Sequence, residues 1–117
     1  MLKMKKVKVH LKINDYELDT FGFLNNDILS FYDKDKEKTN IIYSYRDNTL
    51  IRDNDSLLIK IFFNKEKDNI SYELKKEKMT FLHNFTNFSL KNIDGAVIIN
   101  YRIEDTDFRL VLSYEEV

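Results

Sequence analysis

Cysteine and proline do not occur in this 117-residue chain, and glycine occurs twice. Without Cys there can be no disulfide and no thiolate-bound metal. With only Gly22 and Gly95, far apart, no glycine-rich phosphate loop can be assembled. No apolar run approaches the length needed to span a bilayer. The first segment, "MLKMKKVKVHLKIND", has basic residues but lacks the apolar h-region of an export signal, which points to the cytoplasm and away from membranes. Charge of one sign is missing too. Nineteen Lys and Arg stand against 20 Asp and Glu, for a net charge of −1, so no global field draws in nucleic acid or an acidic membrane.

What is present is alternation. In "VKVHLKI", Val7, Val9, Leu11 and Ile13 alternate with Lys8, His10 and Lys12. "SLLIKIFF" places Leu57, Ile59, Ile61 and Phe63 on one face, "AVIINYRI" does so with Val97, Ile99, Tyr101 and Ile103, and "FRLVLSY" with Phe108, Leu110, Leu112 and Tyr114. A period of two is the mark of half-buried strands. Weaker segments of the same kind fall at 16–23, 27–33, 39–46, 48–52, 69–74, 78–83 and 85–91. No stretch sustains a helical stripe.

Turn residues lie between these segments at nearly even spacing: Asn14-Asp15, Asn25-Asn26, Asp53-Asn54 and Asp94-Gly95, with the charged tips "KDKEK" (34–38), "NKEKD" (64–68) and "EDTD" (104–107). Many short strands with short connections predict one all-β domain over residues 1–117, an up-and-down (meander) β-barrel whose closure would remove exposed edges. Gly22 sits inside a strand, as at a bulge or sharp bend. The apolar phase changes from Tyr16 and Leu18 to Phe21 and Phe23, which predicts a register change near Asp19-Thr20.

The stretch "HNFTNFSL" (83–90) contains two glycosylation sequons, at Asn84 and Asn87, and Asn69 begins a third. Without export these are chance matches, common in the Asn-, Lys- and Ile-rich usage of an AT-rich bacterial genome. Phe81, His83 and Phe85 share one parity and Phe88 and Leu90 the other. The stretch therefore reads as a strand, a kink near Thr86-Asn87 and a second strand.

Taken together, "ILSFYDKDKEKTNIIYSYRDNTLIRDNDSLLIKIFFNKEK" (28–67) and "NIDGAVIINYRI" (92–103) with the final strand resemble the YwiB-like family, small bacterial proteins of unknown function. The resemblance implies a lipocalin-like (calycin) β-barrel and brings no activity or functional residues with it. The chain departs from that family in having no Pro and no Thr-Pro-aromatic-Gly turn after the middle strands, which leaves the register of 72–90 open.

Candidate chemistry is sparse. Asp33, Asp35 and Glu37 have the spacing of the first calcium-loop ligands, but Lys38 replaces the needed Gly and Ser44 stands where the closing acid belongs, so a solvated hairpin tip is expected. Asp53 and Asp55 read as a turn. His10 lies among lysines on an outer face; His83 shares parity with Met79 and Phe81, as a core histidine with a hydrogen-bond partner would. Two His without Cys leave any zinc site dependent on carboxylates, and neither a metal nor a cofactor is expected. The serines lack a nucleophile elbow, and Glu104, Asp105 and Asp107 are loop acids. Nothing points to an enzyme, although catalytic groups can converge without a local motif.

Two kinds of binding remain. Tyr43, Tyr45, Tyr101 and Tyr114 share parity with apolar residues and, with His83, are expected to line the barrel. They suit a small apolar or aromatic ligand inside it, with a protein partner as the other form of the same reading. The alternative is single-stranded nucleic acid on the basic first strand through Lys6, Lys8 and Lys12, with neighbouring aromatics as a stacking platform. A strand edge guarded by lysine explains the same residues. The sequence leaves the oligomeric state open.

Overall fold

Alternation along the chain becomes a single antiparallel sheet in a computed structural model that describes residues 4–33 and 38–117. Its strands are β1 (Met4–Ile13), β2 (Tyr16–Asn25), β3 (Ile28–Asp33), β4 (Thr39–Ser44), β5 (Thr49–Asp53), β6 (Leu57–Phe62), β7 (Ile70–Leu74), β8 (Met79–His83), β9 (Thr86–Ile93), β10 (Ala96–Ile103) and β11 (Thr106–Glu116). Among the described residues there is no helix. Left-handed backbone at Asn14, Asn26 and Asn48 turns three of the hairpins, where a short polar side chain tolerates that conformation. Asn54 closes the β5–β6 turn by accepting from the backbone N–H of Ser56 and Leu57.

The strand order is β8-β7-β6-β5-β4-β3-β2-β1-β11-β10-β9. Consecutive strands other than β8 and β9 pair as in a meander, and β1 pairs with β11, so the first and last strands meet inside the sheet. Inward residues of every strand except β8 pack into or against one core that includes Val7, Val9, Leu29, Ile41, Tyr43, Val97, Ile99, Leu110 and Leu112.

The expected closed barrel is not formed. The sheet curls into a half-barrel whose edges, β8 and β9, do not pair. The reason is one of direction. All neighbours are antiparallel, so in an odd-numbered order the first and last strands run the same way. Parallel pairing needs a crossover of roughly a dozen residues or more, whereas only Asn84 and Phe85 separate β8 from β9. The chain runs on without reversing: it leaves the β7 edge, kinks, and joins the β10 edge. A register shift between Asn100 and Arg102, opposite left-handed Asn87, marks the start of the second half.

Two further expectations are corrected. No register change occurs at Asp19-Thr20, because β1 and β2 pair without interruption from Met4–Asn25 to Ile13–Tyr16. Phe21 and Phe23 therefore point outward, 56% and 48% exposed. Gly22 faces inward and serves close approach instead of a bulge: a Cβ there would lie 2.5 Å from the Ser30 carbonyl oxygen. Asp33, expected on a solvated tip, is fully buried and accepts a hydrogen bond from the Tyr16 hydroxyl, 2.7 Å from each carboxylate oxygen. Asp35 and Glu37 lie outside the described residues.

Asn69 holds the kink in place. Its side chain is fully buried; Oδ1 accepts from the Phe85 N–H at 2.9 Å and Nδ2 donates to the Lys65 carbonyl at 3.3 Å. In this fold Asn69 is inaccessible as a sugar acceptor. Asn84, by contrast, is exposed and accepts from the Asp68 N–H. Asn69→Ala should therefore cost about 2–3 kcal/mol in denaturant unfolding by orphaning a buried N–H, and Asn84→Ala about 1 kcal/mol or less. Equal costs would contradict this account of the kink.

Candidate binding site

Because β8 is an edge, the inner face is covered unevenly. Residues paired across neighbouring strands share a face, so burial can be followed along each row. One row runs Tyr43–Leu50–Ile61–Ile70–His83 and stays buried as far as Ile70. The next runs Ile41–Arg52–Ile59–Tyr72–Phe81 and opens early: Ile41 is buried, the next three are half-buried, and Phe81 is exposed. A third, Leu57–Leu74–Met79, ends exposed as well. The half-barrel thus presents a concave, largely apolar opening on β5–β8, toward the end that carries the β5–β6 and β7–β8 turns.

Arg52 is the exception on this face. It shares the inward parity of Leu50 and lies between Ile41 and Ile59. Among the described residues its guanidinium has no ion pair or hydrogen bond. Tyr101 lies within its electrostatic reach. Burial pushes the Tyr101 phenol up to about 12, and the positive charge of Arg52 works against that rise. The Tyr101 hydroxyl likewise makes no hydrogen bond among the described residues. Asp33, the inner-face carboxylate at the same end, is engaged by Tyr16.

The tyrosines expected to line the interior do point inward, but they form two groups. Tyr43 packs edge-on against Tyr45 at 4.9 Å between ring centroids, and Tyr45 against Tyr114 at 5.9 Å. This group sits near the β4–β5 turn, where the Tyr43 hydroxyl donates to Asn48 Oδ1 at 3.4 Å. The Tyr45 hydroxyl is buried without a partner among the described residues. Tyr101 belongs to a separate aromatic stack with Phe63, Phe85 and Phe108. His83 is exposed and not a core histidine, because no described residue covers the inner face of β8. Arg52 was readable in "NTLIR", where it takes the same parity as Leu50, yet a lone basic residue in a weak strand gave no chemical signal by itself.

The basic strand lies on the outer face as its parity requires. There Lys12 meets Glu17 at 3.6 Å and His10 meets Asp19 at 2.6 Å, so cross-strand acids answer part of the charge. Lys6 stands over the Phe21 ring, 5.0 Å from its centroid. Lys6, Lys8, Phe21, Phe23 and Tyr32 together give this face exposed aromatics beside two lysines. A shallow groove of about 490 Å³ runs along it, lined by Met4, Phe21, Phe23, Ile28, Tyr32 and Ile42 among others.

The class this architecture defines is an all-β antiparallel meander curled into a half-barrel. Among solved structures it is similar to the crystal structure of the YwiB protein from Bacillus subtilis, with a TM-score of 0.53 at 12% identity, over 99% of this chain and 95% of that one. At that identity the likeness is one of fold. No protein-family model matches the chain, and no curated protein does.

Alkaline titration probes the buried phenols. Burial raises Tyr43 to about 12, and it raises Tyr45 further with help from its tyrosine neighbours. With Tyr101 also at about 12, the unfolded chain ionises these groups near pH 10 while the folded chain keeps them neutral. The contribution of these phenols to stability is therefore full below about pH 10 and is lost as pH rises toward about 12. Phenolate absorbance should show these three tyrosines ionising only with unfolding. Simple titration of all seven tyrosines near pH 10 in the folded protein would contradict the packing described.

Proposed function

We propose that the protein is a non-catalytic binding module that takes a small apolar or aromatic ligand on the open inner face between β5 and β8. The observation that carries this reading is the exposure of core-side residues on β8: Met79 is 48% exposed and Phe81 41%. Side chains on the core face of a strand are normally covered, and a concave apolar face suits a small molecule better than a protein partner. The groups gathered around the opening are aliphatic, aromatic and a guanidinium, and the one imidazole on this face, His83, lies on the edge strand beyond Ile70. A guanidinium does not exchange protons near neutral pH, which favours holding a ligand over transforming it. The likeness to YwiB supports membership of the YwiB-like family, and with it a calycin-like origin for the half-barrel. The cytoplasmic setting expected from the sequence belongs to the same proposal.

The neutral dye N-phenyl-1-naphthylamine tests this reading by fluorescence titration. Phe81→Asp should weaken binding by roughly tenfold or more, whereas Phe23→Asp, on the outer face, should leave it unchanged. Loss with Phe23→Asp alone would move the ligand site to the outer groove.

The outer face supports a second reading, single-stranded nucleic-acid binding, because Phe21, Phe23 and Tyr32 stand exposed beside Lys6 and Lys8. Base stacking on such rings is worth about 1–3 kcal/mol per base. On this reading an oligothymidylate binds with an affinity that falls steeply with salt, and Phe21→Ala or the pair Lys6→Glu and Lys8→Glu abolishes it. Absence of binding even at low salt would eliminate it.

A further inference from the structure

The half-barrel's opening contains one permanent positive charge that makes no ion pair among the described residues, and this specifies the ligand more closely than apolarity does. Arg52 sits on the core side of β5, flanked across the sheet by Ile41 and Ile59, and makes no ion pair or hydrogen bond among the described residues. A half-buried guanidinium on an apolar face is costly unless it is paired. The hydroxyl of Tyr101, close enough to feel that charge, also lacks a partner among the described residues. The inner-face acid at this end, Asp33, is held by the Tyr16 hydroxyl. From Arg52 the row continues through Ile59 and Tyr72 to Phe81, from half-buried to exposed, so a charged site leads into an apolar track.

We propose that this face binds a small amphipathic monocarboxylate, with its carboxylate on the Arg52 guanidinium and Tyr101 hydroxyl and its apolar body along Ile59, Tyr72 and Phe81. The proposal rests on the ligand-binding reading above and deepens it. A guanidinium presents two parallel N–H donors that match the two oxygens of a carboxylate, and the phenol adds a third donor. One cation balances one negative charge, which favours a monoanion over a phosphate dianion. The bland explanation is that Arg52 lays its methylenes along apolar neighbours while its head group reaches water; in that case the head group would not distinguish an acid from an alcohol of the same length.

Decanoate and 1-decanol make that comparison by isothermal titration calorimetry on the full chain. The wild type should bind decanoate more tightly than decanol. Arg52→Met should weaken decanoate by roughly ten- to a hundredfold while leaving decanol unchanged, and Tyr101→Phe should weaken decanoate by a smaller factor. Because the guanidinium has no partner among the described residues, Arg52→Met should melt at the same temperature as wild type or higher. Arg52→Gln serves as the second variant if Met at that position impairs folding. Equal binding of the two probes, or an equal loss of both in Arg52→Met, would overturn the carboxylate assignment and leave the apolar site standing. Binding of neither probe to the wild type would overturn both. Decyl phosphate binding more tightly than decanoate would overturn the choice of a monocarboxylate.

Discussion

The antiparallel pairing of β1 with β11 governs the rest of this structure. It brings the first and last strands together inside the sheet and leaves the edges to β8 and β9, strands adjacent in sequence. With eleven strands alternating in direction, those edges run the same way, and a two-residue link cannot join them as a parallel pair. Closure by hydrogen bonding is thereby ruled out. The seam is instead held by side chains: Asn69 on the Phe85 N–H, and Phe63 stacked on Phe85 and Phe88.

The open seam determines how the inner face is covered. At the end carrying the β6–β7 connection, the aromatic stack covers the core, and inner-face residues as far as Ile70 are buried. Toward the opposite end of β8 no described residue replaces that cover, and Tyr72, Phe81 and Met79 are left accessible to differing degrees. Arg52 lies where buried core gives way to this opening. The same geometry that prevents closure therefore places at the inner end of an apolar face a cation that has no ion pair among the described residues, which is why the binding proposal centres on this region.

Strand positions were largely legible in the sequence, because period-two alternation records burial directly. "VKVHLKI", "AVIINYRI" and the less regular "TNIIYSYR" all became strands of the sheet. The kink in "HNFTNFSL" was legible for the same reason, as a change of parity. Closure was not legible: it depends on the directions of strands far apart in sequence, and no local pattern encodes that. Local parity also misled around Gly22. Phe21 and Phe23 read as core residues because they are aromatic, yet their outward placement follows from uninterrupted pairing with β1. The site was half legible. The inward tyrosines were evident, but their division into two groups, the exposure of His83 and the isolation of Arg52 all arise from packing between distant strands.

The central claim is that the open inner face of β5–β8 receives a carboxylate-bearing ligand. Nuclear magnetic resonance shift mapping with decanoate tests it most directly, since it reports the site without presupposing which residues matter. The account predicts saturable shifts at the Arg52 side-chain Nε–H and at the amides of Ile59, Tyr72, Phe81 and Tyr101, with Phe21, Phe23 and Tyr32 unaffected. Shifts confined to those outer-face residues, or no saturable shifts on the inner face, would contradict it.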